Sequence, residues 1–165
     1  MIVVSDSSPL VALARIGRLN LLASLYKRIL IPVEVYDEVT VAGRGLPGAE
    51  EVRRAEWIEV VAQVAPTDLS LAQVCRHLGR GERGAILLAR GLGADLVLID
   101  EWKARRIAQN AGLCVVGCLG ILEVGARRGL VSDLRQAYID LLRHGIRFDL
   151  RLLQDSLTRV GLPKL

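Results

Sequence analysis

The sequence predicts an α/β fold: a three-layer α/β/α sandwich around a central, parallel, five-stranded sheet, with extra helices at the C-terminal end. Three observations predict it. Short apolar runs alternate with helix-period segments along most of the chain. Several of those runs are apolar at successive positions, as strands covered on both faces must be. Right-handed crossovers between parallel strands then leave few topologies. At 165 residues the chain suits one domain.

Each element has its own signal. Ile2 to Ser5 is a short apolar run ending at Asp6 and reads as a buried strand. Ser8-Pro9 starts a helix, with Ser8 as N-cap and Pro9 at the first helical position, and Gly17 stops it. A second helix covers Leu19 to Tyr26, and Ile29-Leu30-Ile31 is a strand closed by Pro32. Val33 to Thr40 reads as helical despite its β-branched residues. A loop marked by Gly43, Gly45, Pro47 and Gly48 leads to a helix over Ala49 to Arg54 and a third strand over Ile58 to Ala62. Ser70 to Leu78 is a helix, after which Gly79 and Gly81 break the chain. Glu82 to Gly91 is strongly periodic, with Ala85, Ile86, Leu88 and Ala89 facing inward. Asp95 to Ile99 is a strand ending at Asp100, Trp102 to Ala111 a basic helix, and Leu113 to Val116 the fifth strand. Leu119 to Arg128, Leu134 to Arg143 and Leu150 to Val160 are helical, the last two with Ser132 and Asp149 as N-caps.

Composition narrows the class. The chain is 52% hydrophobic and 24% charged, which describes a globular domain rather than a disordered one. No apolar run reaches the roughly 18 residues of a membrane span. The opening residues carry no basic stretch of a secretory signal, so a cytoplasmic location is expected. Cys75, Cys114 and Cys118 contain no Cys-x-x-Cys pair, and they read as buried or half-buried thiols rather than a zinc or disulfide framework. The net charge of +4, carried mainly by arginine, is compatible with a polyanionic partner.

The acids are placed by the strand order. Asp6 and Asp100 each end a buried strand, which puts both at the carboxyl edge of the sheet, where sites of such folds form. Glu82 opens a helix feeding a parallel strand, and such a helix begins at that same edge. Spacing alone does not place Glu38. Each acid also has a structural reading: Asp6 as a cap of the following turn, Glu82 as a complement to its helix dipole, Glu38 as a solvated helix acid, Asp100-Glu101 as the start of a helix. Three independent elements nonetheless deliver acids to one edge. Two carboxylates about 5 Å apart repel by roughly 3 kcal/mol at an effective dielectric of 20. Raised pKa values or a bound cation relieve that repulsion. Hard oxygen donors without histidine or cysteine favour Mg2+ or Mn2+, ions that activate water and stabilise charge at phosphorus. Lys103, Arg105 and Arg106 follow directly and have the chemistry to hold a phosphate backbone, or else form a solvated helix face.

These residues resemble a known family. Val4-Ser5-Asp6-Ser7-Ser8-Pro9-Leu10 resembles the opening motif of PIN-domain proteins. Ile31-Pro32 with Val35-Tyr36-Asp37-Glu38-Val39 resembles the second motif, Gly81-Glu82 with Ala85-Ile86-Leu88-Ala89 the third, and Leu98-Ile99-Asp100-Glu101 with Ala104-Arg105 the fourth. The matches run in family order from about Val3 to Gly120. The resemblance implies a metal-dependent endoribonuclease like the VapC-type toxins of toxin–antitoxin pairs. Asp6, Glu38, Glu82 and Asp100 would then be the catalytic, Mg2+- or Mn2+-binding acids. Ser7 would orient Asp6 or a water of the ion, and whether Glu101 joins is open. The resemblance further implies an RNA substrate, a cognate antitoxin and a homodimer. Residues 1–128 would be the PIN-like nuclease core, and 129–165 a helical extension packed on the same domain. That extension departs from the shortest toxins and resembles a less characterised PIN branch.

Two other functions compete. A PIN fold that holds RNA or protein without cutting would be free to lose the acids, and all four are present. A receiver-like phosphoacceptor would need paired acids after the first strand and a lysine at the last; Asp6 stands alone, and no lysine flanks Val115-Val116-Gly117.

Overall fold

The computed structural model describes residues 1–62, 65–163 and 165. Five strands, β1 (Val3–Ser5), β2 (Ile29–Pro32), β3 (Ile58–Val61), β4 (Leu96–Leu98) and β5 (Val115–Val116), form one sheet in the order β3-β2-β1-β4-β5. Every pairing is parallel. The chain steps outward from β1 to β3, then returns beside β1 as β4. The switch point therefore lies between β1 and β4, where Ser5 pairs with Leu98.

Strand side chains alternate between two cores, as period-two geometry requires. Val3, Ile29, Ile31, Leu96 and Leu98 pack into one core with α1 (Ser7–Arg15), α2 (Leu21–Tyr26), α8 (Cys118–Arg127), α9 (Leu134–Arg143) and α10 (Leu150–Arg159). Val4, Leu30, Val97 and Ile99 pack into the other with α6 (Arg80–Leu92) and α7 (Trp102–Asn110). The result is the expected α/β/α sandwich. Leu134, Tyr138, Leu141, Leu153 and Leu157 are all 1% exposed or less, so α9 and α10 share the first core. No helix among the described residues is long and apolar enough to cross a membrane.

The structure moves several expected boundaries. The cap of α1 is Asp6, not Ser8, and Ser7 is already helical. Aspartate accepts from free N–H groups at a helix start as well as serine does, and here the strand delivers it there. For the same reason α9 is capped by Asp133, whose carboxylate accepts from Gln136 N at 2.8 Å, rather than by Ser132. Gly81 does not break the chain, because α6 begins at Arg80. The helix expected over Val33 to Thr40 is α3 (Val33–Asp37), followed by a π-helical turn, Glu38–Ala42. Thr40 Oγ1 donates to Tyr36 O at 2.8 Å, and Gly43 N reaches back five residues to Glu38 O at 3.0 Å. Helix α4 (Ala49–Arg54) is as expected, while the helix before Gly79 is α5 (Leu69–Val74) ending in a 3-10 turn, Cys75–His77. Cys75 and Cys118 are buried, whereas Cys114 is exposed.

Candidate functional site

Asp6 sits at the switch point. Its backbone N–H donates to Leu98 O at 2.9 Å, continuing the ladder one step past β1. Its side chain is 1% exposed. Ser8 Oγ donates to Oδ2 at 2.9 Å, and Ser7 Oγ lies 3.3 Å from Oδ1. Burial pushes the Asp6 carboxyl above its ordinary pKa; hydrogen bonds from Ser7 and Ser8 oppose that, and the charge of Glu38 adds to it.

Glu38 opens the π-helical turn and is partly buried. Its Oε1 accepts from Gly81 N at 2.8 Å and its Oε2 from Ser7 Oγ at 2.9 Å. Ser7 thus touches both Asp6 and Glu38. The approach to Gly81 depends on the missing side chain, because a Cβ there would lie 2.9 Å from Glu38 Cδ. One helical turn along each partner the arrangement repeats: Gly84 leaves room for Glu34, whose Oε2 would be 3.2 Å from an added Cβ. The segment from α3 into the π-helical turn therefore meets α6 through two glycines facing two carboxylates.

Glu82, Asp100 and Glu101 complete the edge. Glu82 Oε2 accepts from Gly79 N at 3.0 Å, so it also completes the start of its own helix. Burial raises its pKa, and the charges of Asp6, Glu101 and Glu38 raise it further. Asp100 Oδ1 accepts from Cys118 N at 2.7 Å, at the start of α8. Burial lifts the Asp100 carboxyl to about 6 against the pull of Cys118 N and Arg105, with the charge of Asp6 adding to the rise. Gly117 makes this fit possible, since a Cβ there would lie 2.7 Å from Asp100 Oδ1 and 2.7 Å from Arg105 Nη1. Glu101 is exposed and caps α7, accepting from Ala104 N at 2.7 Å. Asp6 is the hub, feeling Glu38 and raising both Glu82 and Asp100.

The basic residues divide. Arg105 Nη1 donates to Ile99 O at 2.7 Å, which ties its guanidinium to the strand end beside Asp100. Arg106 lies over the ring of Trp102, 5.0 Å from its centroid. Lys103 is exposed in the first turn of α7. Arg105 thus has a structural task that its expected role as a phosphate ligand did not include.

All four acids expected from the sequence lie at this edge, including Glu38, which spacing could not place. The structural readings hold as well: Asp6 and Glu101 cap helices, and Glu82 supports one. Among the described residues, no three or more acidic, histidine or cysteine side chains close on one point as a ready metal cage. Sequence reasoning missed Ser8 as a partner of Asp6, and Gly81 and Gly117 as the spaces that admit Glu38 and Asp100. The signal for the glycines was their position immediately before Glu82 and Cys118, at helix starts on the carboxyl edge.

Comparison with known families places nearly the whole chain in one fold family. A family model described as "DUF3368: PIN domain" matches residues 2–162. No curated protein matches the chain.

Proposed function

The chain belongs to the PIN-domain family, and from that premise we propose that it is a Mg2+- or Mn2+-dependent endoribonuclease, the toxin of a toxin–antitoxin pair. The observation carrying the proposal is the buried carboxylate hub at the switch point: Asp6 is 1% exposed and electrostatically coupled to three further acids. A purely structural cap has no reason to gather like charges around it. The donor set is all oxygen, as Mg2+ and Mn2+ prefer. Mg2+ keeps several waters and takes only one or two carboxylates directly, so it does not need the closed cage that is missing among the described residues. The residues therefore fit an ion held largely through its water.

The roles follow from the hydrogen bonds. Asp6 and Glu38 would hold the ion, with the Ser7 hydroxyl between them giving its one proton to the nearer carboxylate, Glu38. Glu82 and Asp100 each commit one oxygen to a backbone N–H, which fixes the side chain at the edge and leaves its other oxygen for the ion's waters. Arg105, held beside Asp100, would offset charge as phosphate enters. A divalent ion bound there supplies Lewis-acid activation of water and stabilises the charge that gathers on phosphorus. The net step is hydrolysis: a water oxygen bonds to phosphorus, one ribose–oxygen–phosphorus link breaks, and a water proton ends on the departing oxygen.

The expected result is cleavage of unstructured RNA with magnesium or manganese, abolished by excess EDTA and by Asp6→Asn. Cleavage that survives EDTA would overturn the mechanism. One observation favours a second reading, a PIN scaffold that binds without cutting: the acids are tied to backbone groups and do not close on one point. Absence of cleavage with either ion, together with retained RNA binding, selects that reading.

The toxin assignment carries an antitoxin and a homodimer with it. A carboxylate cluster is a natural socket for a guanidinium or ammonium from a partner. Purification from the native host, followed by light scattering, should yield a complex whose mass contains two copies of this chain and a second protein. A lone chain whose overexpression is harmless removes the toxin assignment.

A further inference from the structure

A groove of about 510 Å³ leads away from Asp100 on the side of β5. This is within the roughly 300–1,000 Å³ of ordinary ligand sites. One wall is α7, with Trp102, Arg105 and Arg106; the opposite wall comes from the C-terminal segment, with Phe148, Leu152 and Arg159. Two features are unusual for a surface with no occupant. Trp102 is 67% exposed and Leu152 55% exposed, although both belong to amphipathic helices whose other faces are well buried. Three arginines from two helices also converge on the groove, and Arg159 is held in place by Glu123 of α8.

We propose that this groove binds the single-stranded flank of a nucleic acid, with the C-terminal helices serving as its second wall. The proposal rests on the nuclease reading only for its direction, which runs outward from Asp100. Charge complementarity names the occupant: Arg106, exposed on the α7 wall, presents a cation to a phosphodiester chain, and Arg105 and Arg159 add charge that Asp100 and Glu123 partly offset. The aromatic residues name its form. Unpaired bases stack on exposed rings, whereas the bases of a duplex are already stacked on each other. Trp102 already carries Arg106 on one face, so a base and a phosphate can be met by the same pair. Phe148 and Leu152 offer an apolar surface across the groove. This gives α10 a task beyond packing: it turns an open sheet edge into a two-walled channel.

The test uses the whole chain in EDTA, so that nothing is cleaved. A fluorescein-labelled single-stranded RNA dodecamer and the same sequence as a duplex are titrated by anisotropy, with tryptophan emission recorded in parallel. The single strand should bind more tightly, lose affinity with rising salt, and quench emission in the wild type but not in Trp102→Ala. Trp102→Ala, and Leu152→Glu on the opposite wall, should each weaken binding by about tenfold. Both positions are largely exposed, and thermal melts check that each variant is folded. Duplex binding as tight as single-strand binding overturns the proposal. So does either folded variant binding within twofold of wild type, the result expected if a protein partner occupies the groove instead. Hydrolysis of bis(4-nitrophenyl) phosphate with manganese separates the two claims. Hydrolysis by a wild-type chain that does not bind the dodecamer removes the groove and keeps the nuclease. Groove-dependent binding with no hydrolysis of either substrate removes the nuclease and keeps the groove.

Discussion

Beneath α9 and α10, and at the carboxyl edge of the sheet, the protein buries polar groups under opposite rules. Beneath the helices, Tyr138 and Ser156 are fully buried and hydrogen-bond to each other through their hydroxyls. Burial pushes the Tyr138 hydroxyl to about 12, so the pair stays neutral at any ordinary pH. Around it the buried residues are aliphatic: Leu134, Leu141, Leu153 and Leu157. At the sheet edge the buried and partly buried groups include four acids, and the charge of Glu38 raises the pKa of Asp6 and Glu82 while that of Asp6 raises Glu82 and Asp100. The first arrangement satisfies its polar atoms internally and serves stability. The second leaves like charges to repel, which costs stability unless protons or a cation arrive. If the comparison is right, substitutions in the two regions should separate stability from metal response.

The largest effect is expected beneath the helices. Leu153→Ala deletes a fully buried side chain and should cost about 2–5 kcal/mol. In a chain of this size that lowers the melting temperature by about 5–15 °C. A magnesium-induced rise in melting temperature should persist in this variant, because the proposed ion site lies at the other end of the comparison. Loss of the magnesium response in a folded Leu153→Ala protein would mean that the two regions are not independent.

A smaller effect is expected where α6 meets Glu38. Alanine at an ordinary helical position stabilises relative to glycine by up to about 1 kcal/mol. At Gly81 the added Cβ meets the Glu38 carboxylate, with Cδ at 2.9 Å, and overpacking of that kind costs about 1–3 kcal/mol. Gly81→Ala should therefore be net destabilising by about 1–2 kcal/mol and should also shrink the magnesium response. Thermal melts in EDTA and in magnesium read both numbers. A more stable variant with an intact magnesium shift would show that the glycine is not what admits Glu38 to the site.

The same contrast explains what was legible in the sequence. Alternating apolar runs and helix-period segments identified the parallel sheet and all five strands, because burial on two faces leaves a direct mark on composition. Asp6, Glu82 and Asp100 were legible because strand ends define an edge. Glu38 was not, because a π-helical turn places it and no residue pattern announces that turn. The cap of α1 was misread at Ser8 because Asp, Ser and Ser stand in a row and all three can cap. Gly81 and Gly117 act by what they leave empty, and an empty space is visible only once the facing carboxylate is placed. The groove along β5 depends on where the last helix returns, a tertiary fact with no local signature.

The change expected at Asp100 is the most discriminating. Asp100 has its carboxyl lifted from an ordinary 3.8 to about 6. Between those values the folded chain holds a proton that the unfolded chain has released. Metal-free stability therefore falls as pH rises from about 4 to about 6, by at most about 3 kcal/mol, and levels off above. Asp6 and Glu82, also raised, act in the same direction. Asp100→Asn keeps an oxygen to accept from Cys118 N and removes the charge. At pH 7.5 without metal it should melt at the same temperature as wild type or a few degrees higher. At pH 5 the gap should narrow by about half, and it should close only near pH 4, where Asp100 is protonated in the unfolded chain as well. Magnesium at pH 7.5 should raise the wild type more than the variant, reversing or closing the gap, because binding to the folded state produces that rise. The measurement is a set of melts at these pH values with EDTA and with magnesium. A metal-free loss of several degrees in Asp100→Asn, with the magnesium shift intact, would make this carboxylate a structural partner of Cys118 N and Arg105. The edge would then follow the same rule as the core beneath the helices.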